Sequence, residues 1–450
     1  MSEGGAGIFP QAGVSRRQGS LKVVFLSDYF GDDSAATGGA GGAALQSFEA
    51  LRGLGIDVTL LAGFHAPAAM ASDGRCIGLD GYDLREGTKG RLRTAVAAVW
   101  NSEARSKLRL HLRDFDPAHT VVVLHQWTRY LSPACLHALS HYPVVAYLHD
   151  YFHVCPTGAY FDFRRGRACE LKPMGLSCVC TSCDRVGYPH KLLRVARHAS
   201  KTFAEAAARA PRAFVHVSDV ARRIAEPRLP PGRHYTIFNP LGPIPEAPSR
   251  ADVRFDVGYF GRLEPEKGVR RLTDVLAQKS WTSLFVGAGS LADEIRRLVP
   301  GAEVRDWLPH EEALTAMAQC RCVVLPSIWR EPWGLVAPEA LAMGVPVVIS
   351  RWAGAAEIVA RYGGGEVYEP GEPRALEQAL SNLLADEPRL ARLSRDAKEV
   401  PGRAGLSQEA YARRLAACIG ETAGQALDQA TSLQIIRSNR TDTPQPRVLS

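Results

Sequence analysis

The sequence predicts an α/β protein built from two doubly wound, Rossmann-like domains that face a cleft. Three observations predict it. Apolar, strand-like runs alternate with helical patterns; the alternation falls into two blocks; and a proline-rich segment, Asn239-Pro240-Leu241-Gly242-Pro243-Ile244-Pro245, separates them. Continuous Val/Leu-rich runs between helices indicate parallel strands covered on both faces. A chain of 450 residues suits two or three domains rather than one core.

Residues 1–20 are Gly-rich and polar, lack the apolar stretch of a signal peptide, and are expected to be disordered. The first domain is expected over 21–238. It opens with the run Leu21 to Ser27, continues through a Gly-rich loop and a helix to Leu54, and enters a second strand, Ile56 to Ala62. Further strand-like runs are Thr120 to His125, Pro143 to His149 and Arg212 to Ser218. Residues 239–251 read as a linker, because closely spaced prolines cannot hold regular structure.

The second domain is expected over 252–405. Its strands are Phe255 to Phe260, Thr282 to Gly287, Cys322 to Pro326 and Val345 to Ser350, with helical patterns at Val269 to Gln278, Glu311 to Gln319 and Ala375 to Leu384. A C-terminal helix within 406–431 and a disordered tail, 432–450, complete the reading.

The composition is that of a soluble globular protein, 46% hydrophobic and 22% charged. No apolar run reaches the ~18 residues of a membrane span, so a cytoplasmic enzyme is expected. The net charge of +7 is uneven. Eight Lys/Arg between Lys191 and Arg223 face only Glu205 and Asp219. This basic stretch reads either as a solvated helical face or as a peripheral membrane contact that attracts anionic lipid or an anionic acceptor. It lacks the stacking aromatics that nucleic-acid binding would need, so no nucleic-acid partner is expected.

The chemistry concentrates in the second block. Gly261-Arg262-Leu263-Glu264-Pro265-Glu266-Lys267-Gly268 follows a strand and precedes a helix, placing a guanidinium and an ammonium at a strand's carboxyl end, where a pyrophosphate would sit. Glu331-Pro332-Trp333-Gly334-Leu335-Val336-Ala337-Pro338-Glu339-Ala340-Leu341 joins a strand to a helix. There Gly334 permits close backbone approach, and the helix start offers unpaired N–H groups to an anion.

With the Gly-Val-Pro-Val that follows, these residues resemble the nucleotide-binding half of family 4 glycosyltransferases, retaining enzymes of the two-domain GT-B fold with a Glu-x7-Glu signature; the resemblance covers Gly258 to Glu369. It implies transfer of a hexose-type sugar from a UDP- or GDP-sugar to the hydroxyl of a sugar acceptor. It assigns Gly261, Arg262 and Lys267 to the donor diphosphate, Glu331 to the donor sugar, Gly334 and Leu335 to the sugar or its phosphate, Glu339 to the ribose, and Trp307-Leu308-Pro309, with Leu308 at its centre, to the base. Trp333 stands where Phe is commoner, which implies a bulkier wall. In the first block, Gly39 and Gly41 match the family's Gly-rich loop, and His149 matches a His that touches the donor sugar near the reaction centre.

Catalysis would rest on His149, Glu331, Arg262 and Lys267. Fixed cations stabilise the leaving group, so no catalytic metal is expected. A sugar-nucleotide epimerase of the same fold and a non-catalytic sugar-nucleotide or metal-binding regulator are the alternative readings.

Five cysteines, Cys155, Cys169, Cys178, Cys180 and Cys183, crowd into an insertion, 155–188. The Cys-x-Cys-x-x-Cys core with a fourth thiolate suits structural zinc or an iron–sulfur cluster; free thiols and disulfides are the other readings.

Overall fold

In the computed structural model of the protein, residues 21–31, 39–64, 75–84, 90–245 and 253–424 are described. The expected disordered segments 1–20 and 432–450, and most of the linker after Pro245, lie outside them.

Two parallel sheets form the frame. The first has seven strands in the order β3-β2-β1-β4-β5-β8-β9: β1 Lys22–Ser27, β2 Asp57–Ala62, β3 Cys76–Gly78, β4 Thr120–Leu124, β5 Val144–Leu148, β8 Ala213–His216 and β9 Arg233–Thr236. The second has six in the order β12-β11-β10-β13-β14-β15: β10 Phe255–Phe260, β11 Ser283–Val286, β12 Ala302–Arg305, β13 Cys320–Leu325, β14 Val347–Ser350 and β15 Gly365–Tyr368. A small antiparallel pair, β6 Phe161–Asp162 and β7 Arg167–Ala168, lies in the Cys-rich insertion. The two doubly wound domains are therefore present.

The central strands are apolar because both faces are covered. Every residue of β4 and β5 is buried, and Val323, Val324, Val347, Val348 and Ile349 are fully buried in the second sheet. The four large-sheet strands absent from the sequence reading are β3, β9, β12 and β15, the four sheet edges. An edge strand has one unpaired side and needs no continuous apolar run; β9 and β12 are half exposed and carry Arg and His or Glu and Arg.

The sheet orders place the functional crevice. In the second sheet the chain order reverses between β10 and β13, and ligands of such sheets bind outside the carboxyl ends of the strands at that point. In the first sheet the reversal lies between β1 and β4. The expected Gly-rich loop is corrected here: Gly39 to Gly42 form the first turn of the Gly39–Gly53 helix.

The C-terminal helix, Gln408–Ala423, crosses back to the first domain and packs on the Gly39–Gly53 helix, β4 and β5. Its Tyr411 hydroxyl meets Ser47 and, at 3.2 Å, Tyr147 of β5, whose hydroxyl donates to Asn239 of the interdomain segment at 3.1 Å. Across the cleft, Ser218 donates to the Pro332 carbonyl at 2.6 Å, and Glu357 accepts the backbone N–H of Asp219 at 2.9 Å.

Gly268, at φ +74°, ends the turn after β10, and a Cβ there would lie 1.8 Å from the Pro326 carbonyl oxygen. Gly268→Ala is expected to cost about 2–4 kcal/mol in urea unfolding, whereas Gly301→Ala, which meets open space, changes stability by less than about 0.5 kcal/mol. Equal effects of the two substitutions would contradict this account of the turn.

Candidate functional site

The candidate site is built from loops at the carboxyl ends of β10 and β13. Strand β10 delivers Gly261, at φ +133°, and then Arg262; the turn Pro265–Lys267 follows. Strand β13 delivers Ser327 and Glu331. Glu331 is only 9% exposed and forms an isolated parallel bridge with Ala353. A buried carboxylate needs a partner. The Lys267 ammonium forms an ion pair with Glu331 Oε1, and Ser327 Oγ donates to Oε2. Burial pushes the Glu331 carboxyl up, but Lys267 and Ser327 outweigh it and hold the group below the ordinary carboxylate range. Lys267 also lies 5.3 Å from the centre of the Trp329 ring.

Arg262 is half exposed and reaches Glu266 at 3.2 Å. Glu266 is buried and also accepts from Arg185, whose second nitrogen contacts Glu264 at 3.1 Å. Arg185 comes from the Cys-rich insertion, so a first-domain side chain grips the basic loop of the second domain. Sequence reading missed Arg185, Ser327 and the contact of His310 Nε2 with Glu339 at 3.1 Å. No local signal marks such residues; only the fold brings them within reach.

Gly334 has φ +96° and precedes the short Val336–Ala342 helix. Seven residues give that helix a weak dipole, so positive charge at the site rests on Arg262 and Lys267. Trp333 is 3% exposed and stacks on Phe238 at 4.9 Å and 19°. The residue also lines the cavity of the site, so the indole both packs on Phe238 and forms part of the wall.

The first domain closes the other side. A Cβ on Gly39 would come 2.8 Å from Leu335 Cδ1, so the glycine permits direct approach of the two domains. Gly41 faces away: a Cβ there would meet the Gly31 carbonyl and the Tyr29 ring, and the residue does not line the cleft. That corrects its assignment to the ligand.

His149 follows β5. Its Nε2 is 2.9 Å from His125 Nδ1, and its ring stacks on Tyr147 at 4.5 Å. Burial lowers its pKa to about 3, so it is neutral at neutral pH. His125 Nε2 is buried without a hydrogen-bond partner, which is least costly as a bare lone pair. His125 Nδ1 then donates to His149, and His149 keeps its proton on Nδ1.

One cavity of about 1900 Å³ joins these parts. Gly39, His149, Gly261, Arg262, Lys267, Trp307, Leu308, Pro309, Glu331, Gly334, Leu335 and Glu339 all line it. Of the predicted ligand-binding residues, Gly41 alone is left out.

Two expectations change in the insertion and the basic stretch. Cys155, Cys169, Cys178 and Cys183 surround a separate void of about 10 Å³, scarcely one water. Cys180 is exposed and stands apart. The fully buried Lys191 ammonium donates to Cys183 Sγ at 3.2 Å and Cys178 Sγ at 3.6 Å. Among the described residues no group of three or more His, Cys, Asp or Glu side chains is disposed to hold a metal ion. The Cys-x-Cys-x-x-Cys core therefore does not act as a unit: its middle thiol points out, and a lysine occupies the place beside the other two.

The basic stretch 191–223 is divided: Arg209, Arg212 and Arg223 stay exposed, and the other five cations are buried or half-buried. Lys191, Arg197 and Lys201 are buried; Lys201 pairs with Glu205 at 2.8 Å, Arg194 with Asp184 at 3.0 Å and Arg222 with Glu226 at 2.6 Å. These charges hold the long Tyr188–Ala208 helix and its surroundings together.

With the geometry in place, the chain was compared with known proteins. Residues 244–400 match the family model for glycosyl transferases group 1. The chain is similar to glycogen synthase of Mycobacterium tuberculosis, 33% identical over 152 residues that cover 31% of this chain and 36% of that one. It is also similar to the GDP-mannose-dependent alpha-(1-6)-phosphatidylinositol monomannoside mannosyltransferase of Mycolicibacterium smegmatis, 31% identical over 186 residues, 36% of this chain and 48% of that one. The chain thus spans less than half the length of these curated relatives. In fold, the whole molecule is similar to Anabaena HepE solved with UDP (TM-score 0.60, 18% identity, 89% of this chain and 100% of that chain) and to TarM (TM-score 0.61, 11% identity, 89% and 99%). Both domains therefore share the GT-B architecture, and the second domain is similar to group 1 glycosyl transferases.

Two measurements test the electrostatics. Lys267→Met is expected to destabilise the protein by about 3–5 kcal/mol, because it strands a buried carboxylate, and Lys267→Met/Glu331→Gln to recover most of that loss. Additive losses in urea unfolding would contradict the pairing. For His149, the folded pKa lies below the unfolded value near 6.5, so below pH 6.5 the unfolded chain takes up a proton that the folded one refuses. This imidazole therefore lowers stability as pH falls from 6.5 toward 3. The stability difference between wild type and His149→Gln should shrink by about 1.4 kcal/mol per pH unit over that window; a pH-independent difference would show that His149 is not held neutral.

Proposed function

We propose that this protein is a retaining glycosyltransferase of the family 4 type, moving a hexose from a UDP- or GDP-sugar to an acceptor hydroxyl. The observation that carries the reading is the convergence of Arg262, Lys267, Glu331, Gly334, Leu335 and Glu339 on one cavity at the switch point of the second sheet. HepE has also been solved in complex with UDP-glucose, and that likeness in fold supports a sugar-nucleotide donor.

In this reading the diphosphate lies over Gly261, between Arg262 and Lys267, whose charges balance the negative charge that grows as the glycosidic bond to phosphate breaks. Glu331 grips donor-sugar hydroxyls. Held ionised beside Lys267, it accepts hydrogen bonds without taking a proton. Glu339, steadied by His310, receives the ribose, and Trp307-Leu308-Pro309 receive the base. His149 offers Nδ1–H to the sugar from the opposite wall. The acceptor hydroxyl attacks the face that the diphosphate leaves, and the departing phosphate oxygen takes its proton, which preserves the anomeric configuration with no protein nucleophile.

The cavity, about 1900 Å³, exceeds the ~300–1000 Å³ of a single-ligand pocket. That favours a transferase with two substrates over an epimerase with one. All ten cysteines are free thiols, which supports a reducing, cytoplasmic setting.

Thermal stabilisation by UDP, GDP, ADP and TDP, each with and without magnesium, tests the donor half. One nucleotide is expected to raise Tm without magnesium, and Glu331→Ala to lower kcat/KM by at least about 100-fold, near 2.7 kcal/mol. No shift with any nucleotide, or unchanged turnover in Glu331→Ala, would overturn the assignment.

A further inference from the structure

The second-domain wall of the cavity carries the proposed donor residues. Its first-domain wall carries two further guanidiniums, Arg194 and Arg197, from the Tyr188–Ala208 helix. They are three residues apart and so share a helix face. Both lie against the Phe152 ring, 5.9 and 4.9 Å from its centre. Their surroundings differ. Arg194 is half-buried, pairs with Asp184 at 3.0 Å and donates to the Thr157 carbonyl at 3.2 Å. Arg197 is 9% exposed and forms no ion pair among the described residues. Two of its N–H groups reach the carbonyls of Thr128 at 3.4 Å and Pro156 at 3.5 Å, the long limit of a hydrogen bond. The rest have no acceptor among the described residues.

A buried cation without a counter-charge is costly. Burial, with Arg194 beside it, lowers the Arg197 pKa only to about 10, so the group stays charged at neutral pH. Other cations of the helix show the ordinary solution: Lys201 pairs with Glu205 at 2.8 Å, and Lys191 donates to Cys183 Sγ at 3.2 Å. Asp150 lines the cavity and attracts Arg197, but its oxygens accept from the Phe152 N–H at 2.8 Å and the Gln126 amide at 3.2 Å. In place of a carboxylate, Arg197 has the cavity. A planar fork with spare donors, held against an aromatic ring at the edge of a ligand space, suits a carboxylate or a phosphate. The donor diphosphate already has Arg262 and Lys267, so this anion belongs to the second substrate.

We propose that Arg197, with Arg194 beside it, binds an anionic group on the acceptor, a carboxylate or a phosphate. The acceptor then supplies the counter-charge that the fold omits. A neutral acceptor of the same shape leaves the guanidinium unpaired and is rejected for that reason. The anion subsite stands on the first domain alone; that its anion is carried by the acceptor rests on the transferase reading.

Thermal unfolding of the full chain tests it, with inorganic phosphate, glucuronate or glucose added at equal ionic strength, each with and without UDP or GDP to fill the donor end. Phosphate, glucuronate or both are expected to raise Tm and glucose to leave it unchanged; which anion acts separates phosphate from carboxylate recognition. Arg197→Met should weaken anion binding at least about tenfold, and Arg197→Lys, which keeps the charge but loses the fork, should weaken it less. The nucleotide-induced shift should be the same in wild type and both variants. Its absence from all three proteins would fail the transferase reading alone, because the difference between wild type and Arg197→Met still reads the anion subsite. No anion effect in wild type, an anion effect that survives both substitutions undiminished, or a glucose shift equal to that of glucuronate would overturn the proposal.

Discussion

The site depends on one buried carboxylate. Glu331 is buried apart from its edge on the cavity, so the loop after β13 is stable only if a cation reaches it from elsewhere. Lys267 supplies that cation from the loop after β10, and Ser327 saturates the other oxygen. Two loops 64 residues apart are thereby tied into one rigid unit at the switch point of the sheet. Gly268 makes the tie possible: only a residue without Cβ lets the β10 turn lie against the Pro326 carbonyl.

A second layer of ion pairs sets the position of the two domains. Arg185 spans Glu264 and Glu266, and Glu266 also holds Arg262, so the Cys-rich insertion steadies the proposed phosphate-binding loop. Opposite it, the Ser218–Pro332 and Asp219–Glu357 contacts close the interface, and the Gln408–Ala423 helix locks the chain back onto the first domain. This division of labour explains why Lys191, Arg197 and Lys201 are withdrawn from the surface. Arg194 and Lys201 pair with acids, and Lys191 with thiols, because a helix packed into a domain junction must neutralise what it buries.

Much of the fold was readable because buried parallel strands leave an unmistakable apolar run. The central strands of both sheets were found that way, and the edges β3, β9, β12 and β15 were missed because they need no such run. The cluster on the second domain was readable because its residues are local to two strand ends and arranged around Gly261 and Gly334. Gly41 was misjudged since spacing cannot tell which face of a helical turn meets the cleft. The cysteines misled for a similar reason: close spacing along the chain placed Cys180 with its neighbours, but the backbone turns it outward while distant Cys155 folds in.

By itself, then, the sequence determined the two-domain α/β class, the strand ends that carry chemistry and the charged pair at the first of them. These follow from local rules: period, apolar runs, and which residues suit a sharp turn. Tertiary structure alone decided that Lys267 neutralises Glu331, that His125 sets the tautomer of His149, that Arg185 reaches across the cleft, and that Lys191, Arg197 and Lys201 go in while Arg209, Arg212 and Arg223 stay outside. Those are matters of which groups lose water together. Burial is a property of the packed whole, and no window of sequence contains it.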